Sequence, residues 1–265
     1  MDESRGNVIV AFLGPDCTDP ILAAALDTLG TFLVGSSVSV LESQLVECDD
    51  PVATSAMFCV EERPDSLIWL SLSSVSTKRL AEAEHKLFQV LKKTVAEPLD
   101  IKYMRECLRR TKRQKKYVFE SSGAYFAFPI ITDHLFGKRD GSTLKNIQTL
   151  SWYDELEKWS EGNWREFLRR WLAENKHVSV LGRPSANLAK SIQQAEKARI
   201  TARKNELGVE GLRRLQQRLD EATAANEREI PNELLGKFPV PGIQSINFIE
   251  TMVSFAFPWA TFNPD

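Results

Sequence analysis

The apolar positions change period several times along the chain, and each change predicts an element. Residues 7–13 (Asn-Val-Ile-Val-Ala-Phe-Leu) form a compact apolar run closed by Gly14-Pro15, which predicts a buried strand and a turn. Asp19-Pro20 then supplies an N-cap and a first-turn proline for a helix whose inner face carries Leu22, Ala25, Leu26 and Leu29. Gly35-Ser36-Ser37 breaks it, and Val38, Leu41, Glu42 and Leu45 predict a second short helix to about Glu47. Residues 52–60 and 66–75 are rich in Val, Phe, Ile and Trp and flank a turn-forming Glu-Glu-Arg-Pro-Asp, so they predict two antiparallel strands. An amphipathic helix over 77–95 places Leu80, Ala83, Leu87, Val90 and Leu91 inward and ends at Pro98.

A further helix starts near Asp100 and enters a basic stretch near Lys116. Residues 121–145 mix aromatics, Gly and Pro, which predicts short helices and ordered loop. Trp164, Phe167, Leu168, Trp171 and Leu172 then repeat at i, i+3, i+4, i+7 and i+8. His177 to Leu181 alternates as a short strand closed by Gly182. After Pro184 the composition shifts to Ala, Glu, Gln, Lys, Arg and Leu. One seam is Leu188, Ile192, Ala195 and Ala202; the other is Leu212, Leu215, Leu219 and Ala222. This predicts a helical hairpin turning near Gly208 and held by a narrow apolar seam. Pro231, Pro239, Pro241 and Gly242 predict an extended linker. Residues 243–257 read as a strand whose apolar edge lacks a partner, a hazard that predicts a missing neighbour.

The expected fold class is therefore α+β: an antiparallel sheet with helices packed on one face, over residues 1–183. A helical hairpin over 184–230 and a linker with the first strand of a further domain over 231–265 follow. Composition allows this and narrows the function. Hydrophobic residues make up 43% of 265, enough for a core, and the net charge of -2 gives no overall field toward nucleic acid or membrane. No apolar stretch approaches the roughly 20 residues of a membrane helix. The acidic start Met1-Asp2-Glu3-Ser4-Arg5 lacks a signal or transit character, and Cys17, Cys48, Cys59 and Cys107 show no CxxC spacing, so a cytoplasmic protein with reduced thiols is expected.

Candidate chemistry is sparse. Zinc hydrolysis needs closely spaced His or carboxylate ligands and a base, but His85, His134 and His177 stand apart, with neither HExxH nor HxxEH. Each reads better as a surface or structural histidine than as a ligand. No GxSxG, P-loop or GxGxxG occurs. Gly137 to Ser142 resembles an anion loop but lacks the spacing and the preceding strand, so a structural turn fits better. The basic run Arg109, Arg110, Lys112, Arg113, Lys115, Lys116 fits a solvated helix face better than a phosphate site.

The order of elements, and phrases within it, resembles one homology domain of the insulinase, or pitrilysin, family of zinc metallopeptidases. The phrases are Phe12-Leu13-Gly14-Pro15-Asp16-Cys17, Gly35-Ser36-Ser37-Val38-Ser39-Val40-Leu41-Glu42, Leu45-Val46-Glu47, Leu135 to Ser142, and Val180-Leu181-Gly182-Arg183-Pro184-Ser185. They are similar to the second, non-catalytic domain of the presequence-protease-like branch, particularly its fungal cytosolic-type members, over about residues 6–250. The resemblance implies one part of a clamshell of four α+β domains around a chamber, with zinc held by the first domain and none in this chain. It implies a chamber-wall role that is not proteolytic alone, with peptide substrate or the remaining peptidase domains as partners and no nucleic acid or membrane. A mitochondrial location is possible by family analogy. It also implies peptide contact at Gly35 and Ser36 and by strand addition at residues 52–60, although Gly35 fits a plain break between helices better. The alternative expectation is an interaction module, like the inactive core subunits of larger assemblies, that binds a partner through the hairpin; a truncated product is a third.

Overall fold

The computed structural model describes residues 2–61, 63–121, 124–141, 144 and 150–237. The expected strand over 243–257 lies outside these residues. The chain divides into two units, residues 1–193 and 194–265.

The first unit is a four-stranded antiparallel sheet in the order β2-β3-β1-β4, with β1 Arg5–Leu13, β2 Ser55–Glu61, β3 Leu67–Ser76 and β4 His177–Gly182. The first strand of the chain is thus an inner strand. It pairs Val10 with Leu70 on one side and with Ser179 on the other. Strict alternation along β1 sends Val8, Val10 and Phe12 to one face, where they are fully buried with Ile68, Leu70 and Leu72 of β3. Gly6 shares that face and lies against β4: a β-carbon there would sit 2.2 Å from the Gly182 carbonyl oxygen.

Helices cover this buried face. Helix α1 (Pro20–Val34) is started by Asp19, whose carboxylate accepts from the amides of Ile21 and Leu22. It buries Ala25, Leu26, Leu29 and Leu33, while α2 (Val40–Leu45) adds Leu41 and Leu45. Helix α3 (Leu80–Ala96) buries Leu80, Ala83, Leu87 and Leu91, the positions its apolar period picks out, and Val90 is half-buried. Helix α4 (Ile101–Ser121) buries only Met104, Cys107, Leu108 and Thr111. It runs past Lys116 because the straight-chain residues of its basic stretch are good helix formers.

Helix α5 (Ala124–Phe136) is one element rather than the expected short pieces. It contains Pro129, which costs it one backbone hydrogen bond. Helices α6 (Ser151–Glu157) and α7 (Glu161–Leu168) bring in Tyr153, Leu156, Trp164, Phe167 and Leu168. The helical repeat read over 164–172 changes pitch midway: Arg169–Ala173 is a π-turn, in which Leu172 is buried but Trp171 is only half-buried.

Helix α8 is assigned as Ala186–Asn226, with a break at Gly208 (φ 60°, ψ -176°), the position at which the sequence places the turn. Its first turn is capped by the Ser185 hydroxyl, which accepts from Leu188, and by Glu3, which accepts from the Ala186 amide. The expected seam is not buried: α8 has no buried residue, and Leu188 and Leu219 are each 60% exposed. Where an extended linker was expected after Pro231, Asn232–Gly236 forms a helical turn, α9.

Candidate functional site

Among the described residues, the sheet leaves two features open. One is the face opposite the helices. Alternation and register put Ile9, Ala11 and Leu13 of β1 there, opposite Ser71, Trp69 and Leu67 of β3. Met57 and Cys59 of β2 and Val178 and Val180 of β4 extend the face to both edges. The other is the outer edge of β2. The Ala56 amide points away from β3 and donates to the Glu42 carboxylate at 3.3 Å. Backbone groups alternate in direction along an antiparallel strand, so Phe58 and Val60 carry the next outward amides. Glu42, supplied by α2, therefore occupies the first outward amide and fixes where free edge begins.

Gly35 and Ser36 lie in the turn between α1 and α2, tied to α4. The Arg110 guanidinium donates to the Gly35 carbonyl at 3.1 Å. The Ser36 and Ser39 hydroxyls meet the Tyr103 hydroxyl at 3.1 and 2.8 Å, and the Ser36 amide donates to the Ser39 hydroxyl at 3.0 Å. Gly35 has φ -76°, so no left-handed backbone demands glycine there. Close approach does: a β-carbon would lie 2.5 Å from the Thr31 carbonyl oxygen. The structure thus gives both residues a hydrogen-bonded place in the helical layer.

The basic run of α4 is stitched to carboxylates on neighbouring elements. Lys115 meets Asp27 of α1 at 2.7 Å, Lys112 pairs with Asp154 of α6, and Arg109 reaches Glu106 and Glu157. Pairs exposed to this degree each add little to stability.

The histidines stay apart in role. His85 is exposed and meets Gln89 at 2.9 Å. His134 is exposed, and its carbonyl accepts from Arg139 at 2.8 Å. His177 is held by aromatic contact, its ring centroid 4.2 Å from Phe88 and 5.9 Å from Phe12. Among the described residues no three His, Cys, Asp or Glu side chains converge where a metal ion could be held, so they do not fit a zinc site. No helix among them is long and apolar enough to cross a membrane.

Two open clefts were not foreseen from sequence. One, of about 390 Å³, lies between the Pro15-Asp16 turn and α7, where Trp159, Phe167 and Trp171 are joined by the Arg170 guanidinium 4.9 Å from the Trp171 ring. The other, of about 670 Å³, lies beside His85, Phe88 and His177. The aromatic period signals the first only as core, because nothing in it marks the π-turn that brings Trp171 to the surface.

No family model matches the chain. It is 30% identical over 254 residues, or 95% of its length, to an uncharacterized protein of Saccharomyces cerevisiae, and 30% identical over 249 residues to one of Schizosaccharomyces pombe. It spans about a quarter of those relatives, 24% of each. Among solved structures, it resembles the inactive peptidase domain of a zinc protease from Bordetella parapertussis at TM-score 0.57 and 11% identity, over 70% of this chain and 94% of that one. It also resembles the peptidase M16 inactive domain from Pseudomonas fluorescens at TM-score 0.53 and 15% identity, over 70% of this chain and 42% of that one. At these identities the likeness is one of fold: a four-stranded antiparallel sheet under helices, shared with inactive peptidase domains.

Proposed function

We propose that this chain is a non-catalytic homology domain of an insulinase-type zinc metallopeptidase of the presequence-protease-like branch. Its role is to hold extended peptide as part of a chamber wall. The observation that carries the reading is the open β2 edge, in a fold shared with inactive peptidase domains. A peptide laid beside Phe58 and Val60 completes the backbone hydrogen bonds of that edge, the usual way an extended chain is bound without regard to its exact sequence. Catalysis and its zinc belong, in this reading, to a domain outside this chain.

Two measurements test it. A bound peptide should slow amide hydrogen exchange at Phe58 and Val60; binding with unchanged exchange there overturns strand addition. Chelator-sensitive cleavage of peptide by the chain overturns the non-catalytic role. Gly35 and Ser36 belong to the proposal through the family resemblance. A folded Ser36→Ala chain with unchanged peptide affinity removes Ser36 from it.

The exposed leucines of α8 favour a second role, partner binding through the helices. An amphipathic helix with Leu212, Leu215 and Leu219 open to solvent is a usual helix-docking surface. A Leu215→Glu, Leu219→Glu chain should then lose its partner in a pull-down; unchanged capture excludes this role.

A further inference from the structure

The aromatic cleft beside α7 carries chemistry that the roles above do not use. Trp159, Phe167 and Trp171 form its apolar side, with the Phe167 ring centroid 5.6 Å from Trp159 and 6.5 Å from Trp171. The π-turn at Arg169–Ala173 brings Trp171 there, and such irregularities of a helix are frequent at functional sites. The volume of about 390 Å³ falls within the roughly 300–1,000 Å³ of small-molecule sites, which combine an apolar lining with a few polar groups. Here the polar groups include three charges. Glu166 is neutralised by Arg169. Asp16 accepts through Oδ1 from the Thr18 amide at 2.8 Å and the Thr18 hydroxyl at 2.6 Å, and no cation among the described residues pairs with it. Arg170 holds its guanidinium over the Trp171 ring and has no carboxylate partner among them. One open carboxylate and one open guanidinium, supplied by different elements, thus share a cleft with an aromatic side.

We propose that this cleft binds a free apolar amino acid, with its ammonium on Asp16, its carboxylate on Arg170 and its side chain on Trp159 and Trp171. The charges select it. A simple anion satisfies Arg170 but meets Asp16 as a like charge, and a simple cation does the reverse. A zwitterion satisfies both at once. A guanidinium takes a carboxylate through two parallel hydrogen bonds, which fixes the ligand's orientation as well as its charge. An apolar side chain laid on the indoles removes water from both surfaces, which is favourable. The site stands on residues other than those of the β2 edge and goes beyond the peptide-holding role.

Isothermal titration calorimetry with the full chain tests it on three compounds: L-phenylalanine, L-phenylalaninamide, which lacks the carboxylate, and N-acetyl-L-phenylalanine, which lacks the ammonium. L-Phenylalanine should bind at least about tenfold tighter than either analogue. Arg170→Gln should lower its affinity by about that factor and leave the amide unchanged. Asp16→Asn, which keeps an oxygen for Thr18, should weaken L-phenylalanine likewise and leave the acetyl compound unchanged. Both side chains are exposed, so far-UV circular dichroism should match the parent. The ligand series on the unaltered chain stands independently of the variants. Failure of L-phenylalanine to bind, an analogue that binds as tightly, or folded variants that bind it as the parent does each overturn the site. The β2 edge has its own readout, hydrogen exchange at Phe58 and Val60, so either reading can fail without the other.

Discussion

Phe12 and Leu13 are neighbours on β1, and the sheet treats them as opposites. Phe12 is 1% exposed beneath α3, with Phe88 and His177 against its ring. Leu13 points to the other face and is mostly in solvent. The same contrast repeats on β3, where Ile68, Leu70 and Leu72 are buried and Leu67, Trp69 and Ser71 are half-buried, whereas the edge strands β2 and β4 bury none of their residues. Apolar alternation alone does not distinguish these faces, because both carry hydrophobic side chains. What separates them is whether helices are available to pack, and the helices of this unit lie on one side. Core burial on one face holds the fold, and the second face contributes little to it.

The largest expected effect tests the closed face. Phe12→Ala should cost about 3–5 kcal/mol in chemical denaturation, through lost burial and the cavity left behind. A cost below about 1 kcal/mol would mean that this face is less tightly packed than its burial indicates. Next is the seam between β1 and β4: Gly6→Ala pushes a methyl into the Gly182 carbonyl and should cost about 1–3 kcal/mol. The open face should be nearly silent. Leu13→Thr and Val180→Thr should each shift stability by less than about 0.5 kcal/mol, and a larger loss would show the face to be covered in the isolated chain.

The smallest effect lies at the rim, where Arg79 donates to both Asp50 and Glu82 and Lys86 adds a bond to Asp50. Hydrogen bonds from Arg79, then from Lys86, hold the Asp50 carboxyl down at about 2 against an ordinary 3.8. Arg79 likewise brings Glu82 from 4.5 to about 2. Because both are lowered in the folded state, their contribution is complete above the ordinary carboxylate range and fades as pH falls from there to about 2. The network lies at the surface, so its effect is small and weakens with salt. Carbon-detected NMR titration should show Arg79→Gln raising both carboxyls toward ordinary values.

Much of this fold was legible in the sequence because its signals are local. The Asp19-Pro20 start, the Leu80-Ala83-Leu87-Leu91 stripe and the Gly208 break each depend on nearby residues, and each is where the pattern predicts it. The sheet order was not legible, because the place of β1 between β3 and β4 depends on pairing far along the chain. The π-turn at Arg169–Ala173 keeps an ordinary helical pattern of residues, so its shift of Trp171 leaves no mark. The apolar period of α8 predicts a seam, but spacing reports which residues share a face, not whether anything covers it. At the candidate site, Leu41-Glu42 was visible as part of a family-like phrase. Its physical use, a carboxylate on the Ala56 amide, depends on how α2 packs against β2 and leaves no local mark.

The inner position of β1 also governs the order of events during synthesis. Of these four strands β1 emerges first and can pair with β3 once residue 76 has emerged, but its other edge waits for Val178 and Val180. In that interval Val8, Val10 and Phe12 have one flank unprotected, and a strand edge left waiting is where nascent chains associate wrongly. Closing a loop from Phe12 to His177 is entropically slow compared with forming the helices between them. Completion of the sheet by β4 is therefore expected to be a late folding step, and translation speed through residues 80–176 to influence how much chain reaches the native state.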